Sequence, residues 1–264
     1  LRQNPHNVDE WERRAQIFNS PKDVSKKLAV FAEAIATVDP MKATGKVHRL
    51  WIGYAMVYEK NGDIDYARMI LKRATTVNYK NVSHLAAVWM HYAEMEIRLK
   101  NYDNARKILS EVTKIPARQL HHYKKVSAQT IIYKSLGLWM LRADLEESFG
   151  TYESTVEVYD GMLDLKIATP QIILNFASFC EENDRYEDAF KAYERGVNLF
   201  QFPYSNEIWQ TYLHKFVARY EAQNIERTRD LFEQVVEKAP ADLAHVFYLM
   251  YAEFEEKYGL ARRA

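Results

Sequence analysis

Three stretches of this chain, residues 50–74, 88–112 and 138–162, can be written one above another without a gap. Trp51, Trp89 and Trp139 align. Three residues later come Tyr54, Tyr92 and Arg142, followed by Ala55, Ala93 and Ala143, and sixteen residues after each anchor stand Ala67, Ala105 and Thr155. Such self-similarity confines a chain to repeat architectures, because each unit is one supersecondary element that buries its apolar face only against its neighbours. Weaker copies anchor at Trp11, at Ile173, at Trp209 with Tyr212, and at Tyr248 with Tyr251. The spacings between anchors are 40, 38, 50, 34, 36 and 39 residues. That range brackets the period of two-helix units.

Within a unit the apolar pattern is helical: Ala67, Ile70, Leu71 and Ala74 fall at i, i+3, i+4 and i+7, one face of an amphipathic helix. Each unit reads as helix A, turn, helix B. The turns hold Asn61-Gly62, Asn101, Gly150, Asn183-Asp184 and Gly259, residue types that tolerate the left-handed backbone just past a helix end. None of the seven prolines interrupts a proposed helix, and five of them, Pro40, Pro116, Pro170, Pro203 and Pro240, separate one unit from the next. Only 8 glycines in 264 residues leave too few tight turns for an all-β sandwich, and too few Gly-rich loops for a phosphate-binding α/β fold. The expected fold is all-α, a right-handed α-α superhelix of about seven helical hairpins. It forms one array over residues 1–264, starts at a helix A, ends as a seventh helix B begins, and so reads as a segment of a longer protein. The single long spacing marks residues 116–135 as an inserted surface loop, whose basic, His-containing start (His121, His122, Lys124, Lys125) is a candidate partner contact.

The chemistry-bearing residues follow the repeat. Glu59 stands at +8 and Glu96 at +7 from their anchors, Glu146-Glu147 and Glu255-Glu256 at +7/+8, and Glu181-Glu182 at +8/+9. A catalytic acid is needed once, in one cleft. An acid that recurs at the end of every helix A is expected to meet the basic residue at +17, Arg68 or Arg106, or to face water. The histidine groupings His121-His122 and His84 with His91 lack the spacing of a helical zinc motif, Cys180 has no neighbouring histidine, and no GxGxxG or GxxxxGK[ST] occurs. No catalytic residue, metal, cofactor or small-molecule substrate is expected. The longest apolar run, Leu85 to Met90, is far below the ~20 residues of a membrane span, and a single cysteine points to a reducing compartment. Net charge is +0 but segregated: residues 1–132 carry 22 Lys and Arg against 13 Asp and Glu, and residues 133–264 carry 14 against 23. Such a split steers oppositely charged partners.

A Trp and Tyr-Ala in helix A, a Glu near its end, and the helix-B segments 66–74, 188–196 and 227–235 resemble the half-a-TPR (HAT) repeat. The junctions 37–51, 163–177, 190–200 and 254–264 are similar to those of the SYF-one family of pre-mRNA splicing factors, called XPA-binding protein two in animals. The resemblance implies a nuclear, non-enzymatic scaffold that binds other spliceosomal proteins of the Prp19-associated and intron-binding complexes. It also implies a second association with transcription-coupled DNA repair, and it brings no catalytic residues. RNA contact is expected to be weak. The alternatives are an RNA-binding HAT protein of another RNA-processing complex, a base-per-repeat RNA reader, a peptide-binding TPR adaptor and a prenyltransferase α subunit. The last would carry a repeated Trp-x-x-Arg, which only Trp11 to Arg14 and Trp139 to Arg142 fit.

Overall fold

A computed structural model describes residues 4–116 and 127–259. Among them are fourteen α-helices, and one isolated bridge, Asn7 to Thr44, is the only β-type pairing. In chain order the helices are α1 (Val8–Gln16), α2 (Val24–Thr37), α3 (His48–Lys60), α4 (Ile64–Thr75), α5 (Val82–Arg98), α6 (Tyr102–Val112), the short α7 (Ala128–Ile131), α8 (Leu136–Phe149), α9 (Tyr152–Asp164), α10 (Pro170–Glu182), α11 (Tyr186–Leu199), α12 (Asn206–Tyr220), α13 (Ile225–Lys238) and α14 (Ala241–Tyr258). The fold is an all-α series of helical hairpins. Among the described residues α14 follows six hairpins. The chain packs as two compact units, Leu1–Val158 and Tyr159–Ala264, where the sequence reading expects one array.

In unit 1, α1 pairs with α2, α3 with α4 and α5 with α6, while α3 and α5 also pack helix A to helix A. Alanines at the crossing points let the helices approach: Ala34, Ala55, Ala67, Ala74, Ala93 and Ala105 are all buried. Trp51, Leu71, Leu85, Met95 and Leu109 fill the space between them. In unit 2, α10 pairs with α11, and α12 packs on both. Gly196 of α11 lies so close to α10 that a Cβ there would meet the Ile173 side chain at 2.6 Å. The unit 2 core is aromatic, with Phe190, Tyr193, Trp209, Tyr212, Phe216, Phe232 and Phe247 all 2% exposed or less.

The turns between helix A and helix B repeat in backbone as well as in sequence. Gly62, Lys100 and Asp184, each at +11 from its anchor, have φ of 86°, 60° and 58°. The next amide in each donates back to the carbonyl at +7: Asp63 to Tyr58 at 3.0 Å, Asn101 to Glu96 at 2.8 Å and Arg185 to Cys180 at 2.9 Å. This six-to-one bond closes the helix end. Gly150 and Gly259 are different, with φ of −92° and −107°. They are small because each stands four residues after a buried acid, and a Cβ there would collide with the carboxylate of Glu146 or Glu255.

The inserted segment also differs from its reading as a surface loop. Residues 117–126 lie outside the described residues, but residues 128–134 form α7 and a 3-10 turn whose Ala128 and Ile132 are buried. Gln129 Nε2 donates to the carbonyl of Thr75, at 2.7 Å, which ends α4 without a helical partner, and to that of Val77, at 3.1 Å, just past it. The segment is too short to show periodicity, yet it covers a helix end.

Candidate interaction surfaces

The anchors are the first sequence-derived residues to place. Trp11, Trp51, Trp139 and Trp209 are 6% exposed or less, and Tyr212 is fully buried. Tyr54, Tyr92 and Tyr251 are half-buried. Two indoles carry the same bond: Trp11 Nε1 donates to Pro5 O at 2.8 Å and Trp139 Nε1 to Tyr133 O at 2.6 Å, each a carbonyl six residues earlier in the chain. Two others lie under a cation from the last turn of their own hairpin's helix B, Arg73 over Trp51 at 5.8 Å and Lys238 over Trp209 at 5.7 Å. Trp89 is only half-buried, and its Nε1 is enclosed without a hydrogen-bond partner. Tyr248 keeps the expected register, with Glu255 at +7 and Gly259 at +11, but its ring is open. It is 58% exposed, while its neighbour Phe247 is fully buried.

The polar pairs are formed, but between hairpins. Arg68 does not meet Glu59 of its own hairpin; its Nε and Nη2 donate to Glu96 in the next helix A, at 2.7 and 2.9 Å. Arg106 likewise reaches forward to Glu146, at 3.0 and 2.7 Å, rather than back to Glu96. The same fork recurs in unit 2, where Arg229 donates to Glu255 at 2.6 and 2.9 Å. Each arginine is the fifth residue of its helix B, and each carboxylate is buried. Glu96 also accepts from Asn101 Nδ2, and Glu146 from Ser154 Oγ. Burial pushes the Glu146 carboxyl up, but the hydrogen bonds from Arg106 and Ser154 outweigh it and hold the group below its ordinary range. Glu59 pairs with Arg98 of the following helix A, at the surface.

At the remaining registers both partners change together. In α11 the arginine position holds Phe190 and the acid position of α12 holds Phe216, ring centroids 5.0 Å apart. By register alone, Val156 stands at the arginine position of α9 and the fully buried Cys180 at the acid position of α10. A binding or catalytic acid has no reason to alternate with phenylalanine, whereas an interhelical contact does.

The candidate loop residues His121, His122, Lys124 and Lys125 lie outside the described residues. Another histidine pair carried no sequence signal. His48 begins α3 and His84 lies in the first turn of α5, with ring centroids 4.6 Å apart. Burial first, then repulsion from His84, Lys46 and Arg49, lowers His48 from 6.5 to about 4, and burial with Lys46 lowers His84. Both rings are held neutral. His48 Nδ1 is enclosed without a partner.

Clefts recur beneath two anchors, at the edge where helix B leads into the next helix A. In unit 2 a cleft of 740 Å³ is lined by Phe200, Pro203, Trp209, Lys238 and Leu243. In unit 1 a cleft of 250 Å³ is lined by Pro40, Val47, Trp51, Arg73 and Val77. Among the described residues no group of three or more His, Cys, Asp or Glu could hold a metal ion, and no helix is long and apolar enough to cross a membrane.

Comparison with known proteins agrees with this geometry. Residues 40–264 match the family described as pre-mRNA-splicing factor Syf1/CRNKL1 C-terminal HAT repeat, and residues 1–38 match the pre-mRNA-splicing factor SYF1 middle HAT repeat. Over its whole length the chain is 50% identical to pre-mRNA-splicing factor SYF1 of Homo sapiens, covering 31% of that protein. It is 44% identical to the syf1 homolog of Drosophila melanogaster, covering 30% of it, and 45% identical to pre-mRNA-splicing factor cwf3 of Schizosaccharomyces pombe, covering 33%. The chain therefore spans about a third of the length of these relatives. Among solved structures it is similar to a tetratricopeptide repeat protein from Parabacteroides merdae, at a TM-score of 0.39 and 12% identity over 97% of this chain and 88% of that one. With full-length identity at this level and family models over both parts of its sequence, the chain belongs to the Syf1 family of HAT-repeat pre-mRNA-splicing factors.

Proposed function

We propose that this chain is a non-enzymatic scaffold segment of the splicing machinery, acting in the nucleus by holding other spliceosomal proteins of the Prp19-associated and intron-binding complexes. The role in transcription-coupled repair implied by the family resemblance belongs to the same proposal. One observation carries it: the recurring acids Glu96, Glu146 and Glu255 are each locked to an arginine of the preceding hairpin, so the residues best suited to acid–base chemistry join repeats. What remains at the surface is charge and the clefts beneath Trp51 and Trp209. Unit 1 carries 24 Lys and Arg against 18 Asp and Glu, unit 2 carries 12 against 18, and opposite fields on two units suit two differently charged partners.

The test is affinity capture of the full-length protein from nuclear extract, with and without ribonuclease. The proposal expects splicing proteins in stoichiometric amounts in both samples. Recovery only of RNA-dependent partners from another RNA-processing complex would replace the scaffold by the alternative, an RNA-binding HAT protein.

A further inference from the structure

We propose that the edge of unit 1 built from residues 39–49 and 73–84 is a contact surface for single-stranded RNA, bound through its phosphates and one inserted base. The inference deepens the proposed function and rests on its assignment to RNA processing.

The charge pattern comes first. Residues 40–58 contain no Asp or Glu, and neither do residues 66–93. These two acid-free stretches are apart in sequence but adjacent in the fold. Lys80 Nζ donates to Ala43 O at 3.3 Å, and the His48 and His84 rings touch. The turn before α3 and the turn before α5 therefore lie side by side, presenting Lys42, Lys46 and Lys80, all exposed. Two acids border the edge, Asp39, 3.9 Å from Lys42, and Asp9, beside Gly45 and 3.7 Å from Arg49. Arg49 is not counted, because Glu12 holds it at 2.8 Å. Neither α3 nor α5 has a side-chain cap or an acid in its first turn, so both helix dipoles add positive potential at the same edge.

A polyanion fits this edge, and two features favour RNA over an acidic polypeptide. The 250 Å³ cleft opens between the two turns, with Trp51 and Arg73 in its lining and apolar Pro40, Val47 and Val77 around them. That suits a flat, partly apolar ring flanked by phosphates, whereas an aspartate or glutamate side chain would meet only Arg73 in a lining that is otherwise mostly apolar. The paired neutral imidazoles supply a second planar surface beside the lysines. Basic side chains with interleaved rings are the general means of holding single strands, and they do so with little regard to sequence.

The experiment is fluorescence anisotropy of the chain with a labelled 15-nucleotide oligouridylate, with a 15-residue polyglutamate peptide as the competing anion. The charge-reversal pair Lys46→Glu/Lys80→Glu should weaken RNA binding at least ten-fold. It should also flatten the dependence of log affinity on log salt by about 1.4, two phosphate contacts at roughly 0.7 each. The pair Lys60→Glu/Lys100→Glu, on the opposite turns, should leave affinity within two-fold, and thermal melts should show both variants folded. RNA affinity unchanged by Lys46→Glu/Lys80→Glu would overturn the proposal. So would polyglutamate binding as tightly as the oligonucleotide, which would make the edge a dock for acidic protein. Capture of splicing proteins by the same variants reports on the scaffold reading alone, so the two can fail separately.

Discussion

Arg68 donates two hydrogen bonds to the carboxylate of Glu96, at 2.7 and 2.9 Å, and that carboxylate is completely removed from solvent. The pair joins helix B of one hairpin to helix A of the next. Its planar fork accepts only one relative position of the two helices, so it fixes the register with which hairpins stack. A buried pair of this kind contributes little net stability over an apolar contact of the same shape, but breaking it leaves a charge stranded. Arg68→Ala is therefore expected to destabilise unit 1 by about 3–5 kcal/mol, and Arg68→Leu/Glu96→Leu by much less than twice that. Urea unfolding of the three proteins checks this. A double variant that loses the sum of the losses of Arg68→Leu and Glu96→Leu measured singly would show that the pair is not coupled.

The anchors are expected to separate by burial rather than by residue type. Trp209→Ala should cost about 3–5 kcal/mol, as truncations of enclosed tryptophans do. Tyr248→Ala should change stability by no more than about 0.5 kcal/mol, because its ring is 58% exposed. Thermal melts of the two variants measure both, and a costly Tyr248→Ala would show that its ring packs as the buried anchors do.

Stability should fall with acid through the histidine pair. The folded chain holds His48 at about 4 against 6.5 when unfolded. A depressed base contributes its full stability above the unfolded value and loses it as pH drops from about 6.5 towards 4, because the unfolded chain takes the proton first. With solvent screening allowed for, the loss is about 1–2 kcal/mol. Urea midpoints measured across that range should slope less in His48→Gln than in the parent. Parallel slopes would remove His48 as the cause.

Gln129→Ala removes two hydrogen bonds, to the carbonyls of Thr75 and Val77, and is expected to cost about 1–2 kcal/mol. Hydrogen exchange at the end of α4 should rise with it. An unaltered melting temperature and unaltered exchange would mean that α7 contributes nothing to the cap.

The repeat was legible because Trp51, Trp89 and Trp139 share a gapless register, and a register of aromatics and alanines reports which face of a helix is buried. It does not report against which neighbour. Glu96 could face Arg68 or Arg106 with equal economy in sequence, and only the packing of α5 on α4 decides for Arg68. Tyr248 holds the anchor register, yet its ring is 58% exposed, because a register does not say what covers a position. Gln129 was read as loop because seven residues cannot display a 3.6-residue period. The contact between His48 and His84 depends on two turns meeting, and no local pattern encodes that.

The most direct test of the central claim, that the recurring acids join repeats, is the charge swap Arg68→Glu with Glu96→Arg in the full-length protein. Each single substitution places like charges together in a buried site and should unfold unit 1 and abolish association with splicing proteins. The double swap should recover stability to within about 2 kcal/mol of the parent and recover association with it. A swapped protein that folds as well as the parent yet no longer associates would contradict the claim, because it would show that Glu96 itself is read by a partner or a substrate.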